Sequence, residues 1–144
     1  MEILNKCSPR ELLDVKKNWL PLYSGELACG LFGISDDYVD SYLSLDEKFM
    51  SNKEATFFVR ASGDSMEPSI KENDILIVDR SLTVVDKSIV AIFFNTNPIC
   101  KQLHIKSKDR ILHSFNDKYK DILITEDDEV EIFGVVIGLV RDFV

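Results

Sequence analysis

The chain has 144 residues, of which 45% are hydrophobic and 29% charged, and its formal net charge is −8. This length and composition are typical of one globular domain with its own core. The longest apolar run near the C-terminus, residues 134–140, is too short to cross a bilayer, and the N-terminus lacks a signal peptide's cationic start. Direct, sequence-specific DNA binding is disfavoured, because phosphate-binding surfaces need clustered Lys and Arg. We therefore expect a cytoplasmic protein that does not bind membranes.

The cysteine and histidine content disfavours metal and disulfide chemistry. The three cysteines, Cys7, Cys29 and Cys100, are widely separated and show no C-x-x-C spacing. His104 and His113 are the only histidines, so the sequence offers no dense set of zinc ligands. We expect reduced thiols, no metal site and no cofactor.

The first 50 residues carry mixed signals. Residues 8–11, Ser-Pro-Arg-Glu, are typical of a helix start, and Pro21 would end such a helix after a few turns. Residues 24–33 hold three glycines among small and apolar residues, without a sustained helix or strand period. This pattern predicts a flexible N-terminal arm over residues 1–50, followed by a folded domain over residues 51–144.

From Thr56 onward the pattern is that of β-strands. Short runs rich in Ile, Val and Phe alternate with turn residues such as those at 72–74 and 95–98. The spacing of these runs, about 10 to 15 residues, predicts a compact and mostly antiparallel domain of the mostly β class. The predicted strands are residues 57–61, 75–78, 89–94, 99–105, 111–115, 122–125 and 130–139.

Residues 60–70, RASGDSMEPSI, follow the first of these strands and are dense in small and turn-forming residues. Ser65 in this stretch is a poor nucleophile unless a base lies within hydrogen-bond reach. Neither histidine falls beside an aspartate in the pattern of a triad, and there is no G-x-S-x-G elbow. The competing interpretation is a simple turn, in which Ser and Asp side chains bond back to the backbone.

A lysine on the fourth predicted strand is the candidate base. Strand alternation divides residues 99–106 into one face with Ile99, Lys101, Leu103 and Ile105 and another with Cys100, Gln102, His104 and Lys106. Lys101 thus falls among aliphatic side chains, where burial would lower its pKa and allow the neutral amine to take a proton from Ser65. The pattern is compatible with a Ser-Lys dyad, and a lysine that extends outward to solvent is the alternative.

Six segments form a recognisable pattern in chain order: residues 28–30, 37–40, 57–66, 73–79, 100–103 and 133–137. Together they resemble the LexA/UmuD family of self-cleaving proteins, in which the first would hold the bond that is cut, 57–66 and 73–79 the nucleophile region, 100–103 the general-base lysine and 133–137 the closing strand. The resemblance is closest to the UmuD-like branch, because the roughly 30 residues ahead of that bond are too few for the DNA-binding domain of a LexA-type repressor.

The resemblance implies a LexA/UmuD-type peptidase domain with Ser65 as nucleophile and Lys101 as general base. The backbone N–H groups of Asp64 and Ser65 would hold the oxyanion, and the bond cut would be Cys29–Gly30. The flanking substrate residues would be Leu27, Ala28 and Leu31.

The resemblance also implies the partners of such a protein. A RecA–single-stranded-DNA filament would activate cleavage during the SOS response. The product, residues 30–144, would form a homodimer and join a UmuC-like Y-family polymerase in translesion synthesis. Three alternatives stay open: a non-cleaving module that regulates a polymerase, a truncated LexA-like repressor, and a signal peptidase with the same Ser-Lys chemistry.

Overall fold

A computed structural model describes residues 18–23 and 39–144. The chain divides into two compact units, Met1–Ser51 and Asn52–Val144. The helix start predicted at residues 8–11 lies outside the described residues. No helix in the described segments is long and apolar enough to span a membrane.

The described part of the first unit contains a small sheet and one short helix. Strand β1 (Leu20–Tyr23) pairs antiparallel with β2 (Val39–Leu43), and helix α1 (Leu45–Phe49) follows. Ser44 caps this helix by accepting a hydrogen bond from the Glu47 amide, as N-cap serines commonly do. The sequence pattern predicted an arm in this region and neither of these strands.

The second unit is built on a seven-stranded sheet, in which every neighbouring pair described is antiparallel. The mostly β fold class is therefore confirmed, and each predicted strand has a counterpart. The strand order is β3-β4-β9-β5-β6-β7-β8. The strands are β3 (Thr56–Arg60), β4 (Ile75–Asp79), β5 (Ile89–Phe94), β6 (Asn97–Lys106), β7 (Asp109–His113), β8 (Ile122–Leu123) and β9 (Val130–Val140).

One turn is tighter than the sequence predicted. Asn95 and Thr96 both have positive φ, 48° and 72°, and Phe94 pairs directly with Asn97. A two-residue turn with two positive φ values matches the twist of the flanking strands. Strand β6 therefore begins inside the segment predicted as a loop.

Two groups of buried side chains form the core of this unit. One packs the loop between β3 and β4 against the sheet, and the other fills the region under β5, β6 and β7. The first group is Met66, Ile70, Leu76, Val78 and Ala91, and the second is Val90, Ile92, Leu103 and Leu112. The candidate serine and lysine come from the elements that these groups hold in position.

Candidate active site

Ser65 lies in the loop that joins β3 to β4. The base of this loop is closed by two backbone hydrogen bonds, from the Ala61 amide to the Asp74 carbonyl (2.8 Å) and from the Asn73 amide to the Ala61 carbonyl (2.9 Å). Two residues after the chain enters the loop, Gly63 takes a φ of +78°, a conformation that is costly for residues with a Cβ. The loop is thus held at both ends and turned sharply just before the serine.

Two apolar side chains fix the loop to the core on the far side of the serine. Met66 and Ile70 are only 3% and 5% exposed and pack among the buried residues of the sheet. The Ile70 amide donates to the Met66 carbonyl at 2.9 Å, which closes a helical turn between them. Burial of this kind contributes about 1.5–3 kcal/mol per large side chain, so the serine sits on an anchored turn.

Lys101 lies on β6, between β5 and β7. Its side chain is 7% exposed, as the alternation of the strand predicted. Its Nζ donates a hydrogen bond to Ser65 Oγ at 2.7 Å across 36 positions of sequence. The structure therefore brings the two predicted residues into direct contact, within the reach that a nucleophile and its base require. Their catalytic roles stay a prediction.

The surroundings of Lys101 favour its neutral form. Burial lowers the pKa of the Lys101 amine, and the neighbouring Cys100 acts weakly in the opposite direction. Burial also raises the pKa of the Cys100 thiol to about 11, so this thiol is uncharged near neutral pH. Within residues 18–23 and 39–144, no carboxylate forms an ion pair with Lys101. An unpaired buried amine loses its proton more readily than an exposed one.

The loop after β7 supports the backbone of the nucleophile turn. The Asn116 side-chain amide donates to the Asp64 carbonyl (3.0 Å), and the Asn116 backbone amide donates to the Ser65 carbonyl (3.0 Å). The Tyr119 hydroxyl donates to the Asp64 carboxylate. These contacts connect both residues directly to the segment that carries the serine.

The two predicted oxyanion donors are available. In the described part of the chain, the backbone N–H groups of Asp64 and Ser65 donate to no acceptor, whereas both carbonyls are hydrogen-bonded. Because buried or partly buried amides are normally paired, these two amides are free to donate to an oxygen that gains negative charge. Whether they act in this way stays a prediction.

An apolar cleft of about 570 Å³ opens next to the serine and lysine, inside the second unit. This volume is within the range that binds small ligands or a few peptide residues. Its walls are mainly aliphatic and aromatic side chains from β3, β5, β6 and β9, including Phe57, Val59, Ala91, Ile99 and Phe133. The cleft thus suits an apolar segment with small side chains.

The remaining predicted site residues cannot be compared with the structure. Leu27, Ala28, Cys29, Gly30 and Leu31 lie outside the described residues. As for metals, no group of three or more His, Cys, Asp or Glu side chains in the described ranges is arranged to hold an ion.

Comparison with known proteins gives consistent results along the chain. The sequence profile of the family described as Peptidase S24-like matches residues 21–137, which include both Ser65 and Lys101. Protein MucA of Salmonella typhimurium is 31% identical over 118 residues, which cover 81% of this chain and 81% of MucA. Protein SamA of the LT2 strain of that species is 30% identical over 122 residues, 84% of each chain. The LexA repressor of Desulfatibacillum aliphaticivorans is 32% identical over 120 residues, which cover 81% of this chain but 59% of the repressor.

Proposed function

The chain belongs to the Peptidase S24-like family, among its UmuD-type LexA/UmuD members, and we propose that it is a serine peptidase that cuts its own Cys29–Gly30 bond. The observation that carries this proposal is the 2.7 Å hydrogen bond between Lys101 Nζ and Ser65 Oγ, made by a lysine that is 7% exposed. A buried lysine with no carboxylate partner in the described residues is expensive to keep in a fold. It is well suited, however, to serve as a base.

The proposed reaction begins when neutral Lys101 accepts the Ser65 hydroxyl proton. Ser65 Oγ then attacks the Cys29 carbonyl carbon, and the oxygen of the tetrahedral intermediate accepts hydrogen bonds from the Asp64 and Ser65 amides. Lys101 returns the proton to the Gly30 nitrogen as the peptide bond breaks, which leaves residues 1–29 esterified to Ser65. In the second half, Lys101 removes a proton from a water molecule, the resulting hydroxide attacks the ester, and the proton returns to Ser65 Oγ.

The cleft supports the proposed choice of substrate. Its apolar walls fit the aliphatic side chains of Leu27 and Leu31, which flank the proposed cut. Ala28 and Gly30 bring little bulk beside the serine, and Gly30 allows backbone angles that other residues avoid. A cut at small residues between two leucines suits an apolar cleft that has Ser65 and Lys101 in its lining.

The proposed biological role follows from family membership. We propose that a RecA–single-stranded-DNA filament activates cleavage during the SOS response by favouring the docked arrangement of residues 27–31, a shift in population to which the filament contributes no catalytic group. The 30–144 product would then act in the cytoplasm as a homodimer that joins a UmuC-like Y-family translesion polymerase.

The first experiment measures the intact mass of the purified full-length protein after incubation near pH 7 and near pH 10. The variants are Ser65→Ala and Lys101→Ala, and the matched controls are Ser69→Ala, exposed in the same loop and outside the cleft, and Lys106→Ala on the opposite face of β6. We expect the wild type and both controls to yield a 30–144 fragment, faster at the higher pH, and both dyad variants to stay whole.

A second arm adds a RecA–single-stranded-DNA filament. If the wild type stays whole in every condition, including with the filament, the self-cleavage proposal is wrong and the non-cleaving interaction module becomes the better interpretation. The accessory role is tested separately, by binding of the 30–144 product to a Y-family polymerase on a surface or column. Absence of binding would contradict that role and would leave the peptidase proposal intact.

A further inference from the structure

Ser114 carries an unexplained buried hydroxyl. The residue directly follows β7 and is 1% exposed. Its Oγ is the one buried side-chain oxygen or nitrogen in the described residues that has no hydrogen-bond partner. Unpaired buried polar groups are rare in native proteins, because each one loses its bonds to water without replacement. The position of Ser114 at the end of β7, next to the strand of Lys101, suggests a role for this unpaired hydroxyl.

The register of the sheet puts Ser114 beside Lys101. Strands β6 and β7 are antiparallel and pair Leu103 with Leu112 and Gln102 with His113. Continued by one residue past the end of β7, this register would place Ser114 opposite Lys101. Directly opposed residues in an antiparallel pair point to the same face, with Cβ atoms about 4.5–5.5 Å apart. Lys101 and Ser114 therefore share the buried face that Leu103 and Leu112 define.

In the proposed reaction, the N–H groups of neutral Lys101 need a hydrogen-bond acceptor on the buried face of β6. A neutral lysine has one lone pair and two N–H groups, and the lone pair must point at the Ser65 hydroxyl to accept its proton. In the described part of the chain, Nζ contacts no hydrogen-bonding atom other than Ser65 Oγ. Without a further acceptor, rotation about the last bond of the lysine turns an N–H toward the serine as readily as the lone pair.

We propose that Ser114 is a positioning residue for the dyad: its Oγ accepts an N–H from Lys101 Nζ and so turns the lone pair of the amine toward Ser65. The inference rests on the proposed self-cleavage. The bond forms by rotation of the two side chains on their common face, and its proton stays on the lysine nitrogen throughout. Ser114 therefore contacts neither the substrate nor the oxyanion.

A purely structural serine and a positioning serine predict different behaviour. A serine with no contact to Lys101 can be replaced without any effect on the cleavage rate. A positioning serine accepts one hydrogen bond from Lys101, so its removal lowers the melting temperature by at most a few degrees and slows cleavage in a protein that stays folded. General damage to the fold would lower the melting temperature much further.

The pH dependence gives a second distinction. An acceptor stabilises the ammonium form more than the neutral amine, so the loss of Ser114 Oγ lowers the pKa of Lys101 further. In the described residues the amine hydrogen-bonds to Ser65, the thiol of the adjacent residue Cys100 is uncharged, and no carboxylate or imidazole pairs with the amine. We expect the midpoint of the rate profile to fall by about half to one pH unit and the rate above it to fall about tenfold.

The test uses the full-length chain with Ser114→Ala and with Ser114→Thr, which keeps a hydroxyl. Ser88→Ala is the matched control, since Ser88 is half-buried and its Oγ accepts a hydrogen bond from the Val85 amide away from the cleft. Cleavage is followed by intact mass across about pH 6 to 11, and the melting temperature of each variant is recorded. Ser114→Ala should melt within about 5 °C of the wild type and cut more slowly, Ser114→Thr should regain most of the rate, and Ser88→Ala should cut normally.

The contact between Lys101 and Ser114 can also be tested without cleavage, through the pKa of Lys101. The Lys101 pKa is measured by NMR of ¹³Cε-labelled lysine in Ser65→Ala, with and without Ser114→Ala. A lower pKa in the double variant supports the contact, and an unchanged pKa overturns it, even if the wild type proves unable to cut itself. In a wild type that does cut, an unchanged rate profile in Ser114→Ala would equally overturn the proposal, as would slower cleavage that comes with unfolding at the assay temperature.

Discussion

The ion pair between Asp74 and Arg141 should contribute strongly to the stability of the loop that carries Ser65. Asp74 is 1% exposed, and both its carboxylate oxygens accept bonds from Arg141, from Nε at 2.7 Å and from Nη2 at 2.6 Å. One of these oxygens also accepts from the Lys71 amide at 2.8 Å. A single buried carboxylate thus joins the base of the loop to the chain just after β9.

The magnitude follows from the pKa of Asp74. The hydrogen bonds from Arg141, opposed by burial and aided by the Lys71 amide, lower this pKa from its ordinary value of 3.8 to about 2. At about 1.4 kcal/mol per pKa unit, the ionised carboxylate stabilises the native state by roughly 2–3 kcal/mol at neutral pH. Asp74→Asn should cost at least that amount, about 2–4 kcal/mol, because it leaves Arg141 without its partner.

The sign of the pH dependence is fixed by the direction of the pKa change. Because the native pKa lies below the unfolded one, the contribution of Asp74 is fully present above about pH 5 and is lost as the pH falls toward 2. The difference between the wild type and Asp74→Asn should therefore be large at neutral pH and shrink in acid.

Urea unfolding near pH 7 and near pH 3 measures the free energy lost in Asp74→Asn and how much of that loss disappears in acid. Asp109→Asn, at the exposed start of β7, is the matched control and should change stability by less than about 0.5 kcal/mol. A double-mutant cycle with Arg141→Met isolates the pairwise energy. A loss below about 0.5 kcal/mol in Asp74→Asn, or an equal loss at both pH values, would refute the reasoning.

Three further predictions concern the site and the sheet. The rate of self-cleavage should rise with pH and reach half its maximum below the pKa of about 10.4 of an ordinary lysine, because burial lowers the pKa of Lys101; a mass-spectrometric rate profile with a midpoint at or above that value would contradict the assignment. Asn116→Ala should slow cleavage about tenfold in a folded protein, because Asp64 loses a hydrogen bond beside the serine; an unchanged rate at an unchanged melting temperature would disprove this. Gly134→Ala should cost about 2 kcal/mol or more in urea unfolding, since its new Cβ would lie 2.7 Å from the Asp79 carbonyl oxygen; wild-type stability would show that the strand can shift.

The sheet of the second unit was largely predictable because its signals are local. Alternation and turn residues located each strand from β3 to β9, and alternation also predicted that Lys101 faces inward, as its 7% exposure confirms. Each of these predictions depends on neighbours within a few positions. The boundaries at residues 95–98 were missed by one or two residues, because the positive φ values of Asn95 and Thr96 are a property of the closed hairpin.

The features that were missed depend on distant partners. Strands β1 and β2 are four and five residues long, and Leu20 pairs with Leu43 across an intervening segment with no strand period of its own. The contact of Asn116 with the Asp64 carbonyl spans 52 positions. Ser114 looks like an ordinary turn residue until the β6–β7 register, continued by one residue, places it opposite Lys101. Periodicity cannot reveal such pairs, because it reports which face a residue occupies and not which residue lies across from it.

The preformed contact between Ser65 and Lys101 limits the number of steps that can determine the rate of the proposed reaction. Ser65 and Lys101 are already in hydrogen-bond contact, and Ser65 is supported by Asn116 and by the anchored side chains of Met66 and Ile70. Assembly of the dyad therefore contributes little to the barrier of the proposed reaction.

Two quantities can still limit the rate: the fraction of Lys101 that is neutral and the delivery of the scissile bond to the cleft. An activator that only delivers the bond should stimulate cleavage by the same factor at every pH. One whose docked state also removes water from Lys101 should stimulate most at low pH, where the lysine is otherwise charged, and least above its pKa.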